Sequence, residues 1–153
     1  MERSNHAKSR LDTANHISKF GWECLYVFPS VEGEAFFSYS IGFEETFGGP
    51  EIILFGVERM KAHSLLSACA ELLRKGEVIE PDVPDDRILS GGYRVMFKHV
   101  KPEAYSEYFG SALRYYGEKH FRAVVMFLPD AGHKYPWETG YSYINASEAL
   151  AIV

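Results

Sequence analysis

What most constrains this chain is the period of its apolar residues, which changes from one stretch to the next. Glu51-Ile52-Ile53-Leu54-Phe55 is a compact apolar run closed by Gly56, and residues 121–128 form a second. Runs of this length bounded by turn residues read as buried strands. Between them, Met60, Leu65, Leu66, Cys69, Leu72 and Leu73 recur at helical intervals over residues 57–75, with Gly76 in the C-cap position. A second stripe, Tyr105, Tyr108, Phe109, Ala112, Leu113 and Tyr116, follows Lys101-Pro102 and stops at Gly117. It makes one face of a helix almost wholly aromatic and leaves Tyr115 on the opposite side, open to a partner.

The remaining segments fit around these. Leu11, Asn15, Ile17 and Ser18 sit in a short helix that Gly21 terminates. Residues 22–28 and 35–43 are rich in β-favouring side chains, and Val31-Glu32-Gly33-Glu34 joins them as an antiparallel hairpin. Residues 93–100 alternate as a further strand, and residues 80–90, with Pro81 and Pro84, read as the most mobile loop. Residues 129–141 leave the last strand as a long ordered loop, and residues 142–153 suggest only a final strand or turn. The expected architecture is α+β: a mainly antiparallel sheet with two main helices packed on it and a short N-terminal helix. Residues 1–10 are expected as a flexible tail and residues 11–153 as a single domain, a size that supports one core.

Composition narrows the partners. A net charge of −5 with scattered lysines and arginines argues against nucleic-acid binding, which needs clustered cations. The longest apolar runs are far too short to cross a bilayer. The polar start, Met1-Glu2-Arg3-Ser4-Asn5-His6, lacks the apolar stretch of a secretory signal, so a cytoplasmic location is expected. Cys24, in a strand, and Cys69, on an apolar helix face, read as structural thiols.

Two glycine-rich blocks concentrate the chemistry. The first runs from Ser38-Tyr39-Ser40-Ile41-Gly42 to Gly49-Pro50-Glu51, and the second from Pro129-Asp130 through Gly132-His133 to Pro136-Trp137-Glu138. Glycine and proline shape each turn, and carboxylates and aromatics sit within it. Together with Gly21-Trp22, these blocks resemble the family called domain of unknown function 4262, a set of small, mostly bacterial proteins. Phe37-Ser38-Tyr39-Ser40-Ile41-Gly42-Phe43 is similar to a Tyr-Thr-Ile-Gly-Leu pattern of that family, with Ser40 where threonine is more usual and Gly49 where histidine often stands. The matches span residues 15–141. The resemblance implies a compact single-domain protein and supplies no catalytic residues to carry over.

Both blocks admit a purely structural reading and a functional one. Glycine and proline in the first can simply shape a strand connection, or its amides and Glu51 can touch a ligand. In the second, Asp130 can bond turn amides and Trp137 can plug the core, or Asp130, His133, Trp137 and Glu138 can line a pocket. The leading expectation is an accessory small-ligand-binding protein. Its two blocks would meet at one rim of the sheet, with Tyr39, Gly42, Glu51, Asp130, His133, Trp137 and Glu138 lining the cleft. A protein-interaction role, such as an immunity or conflict-system modulator acting through the acidic residues 82–86, is the first alternative. The second is a hydrolase or transferase using His133 as acid or base, with Asp130 or Glu138 orienting it. No cofactor is identified, and the spacing of His120, Asp130, His133 and Glu138 matches no compact metal signature. Walker and dinucleotide glycine patterns are absent, and the serines and cysteines lack a nucleophile elbow.

Overall fold

A computed structural model of the protein describes residues 9–29 and 31–153. Of the tail expected at residues 1–10, residues 1–8 lie outside the described residues, and Arg10 already belongs to the first helix. That helix, α1 (Arg10–Phe20), is capped by Ser9, whose side chain accepts from the Asp12 amide, and ends at Gly21 with φ 90°. The hairpin follows as β1 (Glu23–Val27) and β2 (Phe37–Ile41), antiparallel with Leu25 opposite Tyr39. After a single π-helical turn, Phe43–Phe47, comes β3 (Glu51–Phe55), antiparallel to β2. Next are α2 (Arg59–Arg74) and β4 (Met96–His99).

The aromatic stripe folds as a broken helix rather than one continuous rod. A 3-10 turn, Pro102–Ala104, leads into α3 (Tyr105–Tyr108), Phe109 leaves helical angles at φ −112°, ψ 34°, and α4 (Gly110–Tyr116) resumes. Gly110 is a weak helix former at the break. Tyr108, Phe109, Ala112 and Tyr116 are buried as the spacing requires, whereas Leu113 is exposed. Tyr115 is not free for a partner: its hydroxyl bonds Glu45, and its ring packs on the core. The chain closes with β5 (Ala123–Phe127) and a short helix, α5 (Ser147–Ala151), in place of a final strand or turn.

The sheet is mixed, ordered β1-β2-β3-β5-β4, and mostly antiparallel. Its exception is central: β3 and β5 run parallel, with Glu51 beside Ala123 and Ile53 beside Val125. Parallel neighbours require a long crossover, which α2, β4, α3 and α4 supply here. All five positions of both strands are buried, as expected for strands covered on both faces. On one face Tyr39, Ile53, Val125 and Phe127 meet Ile17, Tyr108, Phe109, Tyr116 and Ile152, so α1, α3, α4 and the C-terminal segment lie there. On the other, Ile52, Leu54, Val124 and Met126 meet Leu65, Leu66, Cys69 and Leu73 of α2. Helices therefore cover both faces of the sheet.

The acidic loop is tied to the sheet. Asp85 exchanges both backbone hydrogen bonds with Val95 at 2.9 Å, and the Asp82 amide donates to Phe97 at 2.7 Å. The loop thereby pairs with the outer side of β4, which would otherwise be an unpaired edge. Arg87 holds the Asp85 carboxylate at 2.7 and 3.0 Å, and Lys98 holds Asp82 at 3.0 Å. Arg87 keeps Asp85 below the usual carboxylate range.

Candidate functional site

The first block is built around one carboxylate. Glu51 is wholly buried at the start of β3. Its Oε1 accepts from Ser40 Oγ at 2.7 Å and the Phe43 amide at 3.2 Å. Its Oε2 accepts from the Gly42 amide at 3.1 Å, the Glu44 amide at 3.2 Å and the Tyr116 hydroxyl. The π-helical turn presents its first amides inward as a small concave nest, and the nest is filled by a side chain of the same chain. Gly42 makes this possible. Its φ is 115°, and a Cβ there would stand 2.8 Å from the Gly21 carbonyl oxygen. Gly49 serves the same region differently, letting the chain pass α2 where a Cβ would come within 2.6 Å of Leu73 Cδ2.

Burial pushes the Glu51 carboxyl up to about 7, against the opposing pull of Tyr116, Ser40 and the backbone amides. Burial and the Glu51 charge together raise the Tyr116 phenol. Tyr39 is also inside, its ring edge-on to Phe109 and its hydroxyl accepting from the Ser111 amide at 3.2 Å. Tyr39, Gly42 and Glu51 are thus enclosed positions, with no face open to a ligand.

The second block has its own carboxylate hub at the other end of the sheet. Asp130 Oδ1 accepts from the Gly132 and Lys134 amides and Oδ2 from the Ser142 amide, all at 2.9 Å. The Lys134 and Ser142 amides lower its pKa below the ordinary value. Glu138 caps the next turn, accepting from the Tyr135 amide at 3.0 Å. His133 adopts φ 65° and stacks on Tyr93 with ring centroids 4.3 Å apart. Among the described residues no hydrogen bond joins its imidazole to Asp130 or Glu138, so neither orients it as a base. Trp137 does not plug the core, and it is not in the lining of the grooves described below. It lies edge-on to Phe127, parallel to Tyr135 at 5.0 Å and beneath the Lys98 ammonium at 4.7 Å, with 41% of its surface exposed.

The two blocks do not meet. Because β3 and β5 are parallel and Glu51 is level with Ala123, the first block sits at the amino end of this pair and residues 129–138 leave its carboxyl end. The four steps from Ala123 to Phe127 alone separate them by about 13 Å, at ~3.3 Å per residue. The shared cleft expected at one rim is replaced by two separate carboxylate-centred turns.

The surface opens more widely at the carboxyl end than in the hollow of about 160 Å³ beside Gly48, Gly49 and Pro50 at the amino end. A groove of about 510 Å³ lies between Lys61, Leu89, Ser90, Tyr93, Leu128, Pro129, Asp130, Ala131, Ser142 and Tyr143. Lys61 Nζ donates to the Tyr143 hydroxyl at 2.7 Å and stands 5.2 Å from the centre of that ring. Tyr93 donates to the Ala131 carbonyl at 3.1 Å, so its ring is pinned from two sides. A second groove of about 560 Å³, bounded by Ala35, Gly56, Ile144 and Glu148, lies across the strap 142–145. Lys61, Ser90, Tyr93 and Tyr143 were not legible as site residues. They come from three separate stretches of sequence, and each alone is an ordinary surface side chain.

Residues 16–142 match the family described as Domain of unknown function (DUF4262). The chain belongs to that family. No curated protein and no solved structure matches the chain. The family span includes Glu51 and its donors at one end and Asp130 with its three amides at the other, so both hubs lie inside the family domain. Among the described residues no three His, Cys, Asp or Glu side chains converge as metal ligands. Both thiols are free, and burial raises each, that of Cys24 to about 11. No helix among the described residues is long and apolar enough to cross a membrane.

Proposed function

We propose that this domain binds a small organic ligand in the groove beyond the carboxyl ends of β3 and β5. The observation that supports this reading is the groove's make-up. Leu89, Leu128, Pro129 and the Tyr93 ring give it an apolar surface, and Lys61, Ser90, Ser142 and Tyr143 supply a few polar groups. Small-molecule sites combine these two features. Its position agrees with the general placement of ligands outside the carboxyl ends of parallel strands. Asp130 belongs to the site as the residue that fixes the loop wall. His133 belongs to it as the backing of Tyr93. Tyr39, Gly42 and Glu51 are assigned to the scaffold.

Asp82 and Asp85 of the acidic loop already pair with Lys98 and Arg87, so the ligand reading is preferred here to a protein-interaction role through residues 82–86. The ligand reading is tested by titrating the 15N-labelled full chain with a fragment library and mapping amide shifts. Shifts clustered on residues 89–93, 128–131 and 142–143, abolished by Ser90→Trp, are expected. Fragments that bind elsewhere, or equally well to the Ser90→Trp protein, overturn it.

A further inference from the structure

We infer that the ligand of this groove is an aromatic carboxylate whose anionic end is held by Lys61 and Tyr143, an inference that rests on the groove being the binding site. The groove holds two charged side chains of opposite sign, and only one of them is available. Asp130 faces inward on its three amide donors, so its charge is already answered by the backbone. Its oxygens shape the loop rather than offering a docking point for a cation.

Lys61 is the opposite case. An ammonium has three donors, and its hydrogen bond to the Tyr143 hydroxyl uses one of them. That hydroxyl, having accepted from Lys61, still has its own proton to give. Lys61 and Tyr143 thus form a bonded pair with unspent donors on both members at one side of the groove. Among the described residues the side-chain hydroxyls of Ser90 and Ser142 make no hydrogen bond, and they add donors along the same lining. An excess of donors with a single uncommitted cation selects an anionic oxygen acceptor.

The rest of the lining decides what carries that oxygen. Tyr93 is a rigid aromatic wall, stacked from behind by His133 at 4.3 Å and tethered through its hydroxyl to Ala131. Leu89, Leu128 and Pro129 are apolar. A flat ring gains contact with such a wall without the rotamer loss a flexible chain would suffer.

Three probes of nearly equal shape separate the charge requirement from simple filling: benzoate, benzyl alcohol and benzylamine, each titrated into the 15N-labelled full chain. Benzoate is expected to bind at the groove amides about tenfold more tightly than benzyl alcohol, a difference of about 1.4 kcal/mol. Benzylamine is expected to be the weakest. Lys61→Met should bring benzoate and benzyl alcohol level, and Lys61→Arg should preserve most of the preference. Equal binding of all three probes at the groove, or benzoate binding undiminished by Lys61→Met, overturns the anion assignment and leaves the groove as a binding site. Failure of every probe to move groove amides removes both.

Discussion

The two ends of the central parallel pair solve the same problem in opposite ways. At the amino end, Glu51 gathers three amides and two hydroxyls inside the protein, and burial drives its carboxyl up to about 7. At the carboxyl end, Asp130, itself buried, gathers the amides of the exposed loop residues Gly132, Lys134 and Ser142, and the Lys134 and Ser142 amides drive its carboxyl down. A carboxylate anchoring a glycine-bearing turn is therefore not itself a functional signal. What distinguishes the ends is what lies beside the carboxylate: packed side chains around Glu51, with only a hollow of about 160 Å³ at the neighbouring Gly48 to Pro50, against a groove of about 510 Å³ that Asp130 itself lines. The anchor expected to carry more stability is the one outside the proposed groove.

Removing each anchor tests this division, and the largest effect is expected at the closed end. Glu51→Ala strands two hydroxyls and three amides with no acceptor in the interior. Urea denaturation should register a loss of roughly 3–5 kcal/mol. Asp130→Ala frees amides that water can reach, so its loss should be clearly smaller and confined to faster amide exchange over residues 131–142. Equal losses for the two variants would break the contrast.

Next in size is the pH dependence, where the two anchors differ in sign. Glu51 has a raised folded-state pKa, so its protonated form is the one favoured by folding. The stability it contributes is complete below its unfolded value of ~4.3 and declines as pH rises to about 7. Over that window the decline is about 3 kcal/mol. Asp130 has a lowered pKa, so its contribution is present above ~3.9 and is lost as pH falls further. Denaturation midpoints between pH 4.5 and 7.5 should fall for the native chain and stay level for Glu51→Gln. A Glu51→Gln chain with the native slope would assign the effect to another group.

The smallest effect sharpens the description of the open end. His133→Gly relieves a left-handed backbone angle and deletes a stacked ring, two changes of opposite sign. Stability should move by less than ~1 kcal/mol, while the Tyr93 ring, deprived of its backing, should lose its sharp aromatic NMR signals. A large loss of stability would instead make His133 part of the scaffold.

Sequence pattern reached most of the elements because their causes are local. Gly21 ends α1, the run 51–55 is a central strand, and the 57–75 stripe is α2 with Leu65, Leu66, Cys69 and Leu73 buried. The break at Phe109 and Gly110 was hidden because the aromatic spacing continues through it. Parallel pairing of β3 with β5 was hidden for another reason: strand direction follows from the route of the connection, which no short window contains. That one missing fact decides whether the two blocks can meet. With every pairing antiparallel, the two blocks could share a rim; with β3 and β5 parallel, they are held apart. Asp130 does bond the turn amides, one of the two readings that its sequence context allows, and the groove beside it owes its cation to α2 and its second ring to residue 143, contacts that only tertiary structure creates.

The middle of the sheet is made from strands that the ribosome delivers far apart in time. β1, β2 and β3 can zip together as soon as they emerge, but β3 then waits with its apolar outer edge bare until β5 is synthesised. Closing that gap across a long intervening chain is the pairing of greatest sequence separation in the sheet's centre, and topology predicts that it forms late. A chain truncated before residue 123 would present Ile52, Ile53 and Leu54 as an open template for its neighbours. Survival of the nascent protein thus depends on its last strand, and aggregation rather than lost binding is the natural failure of any variant that delays its arrival.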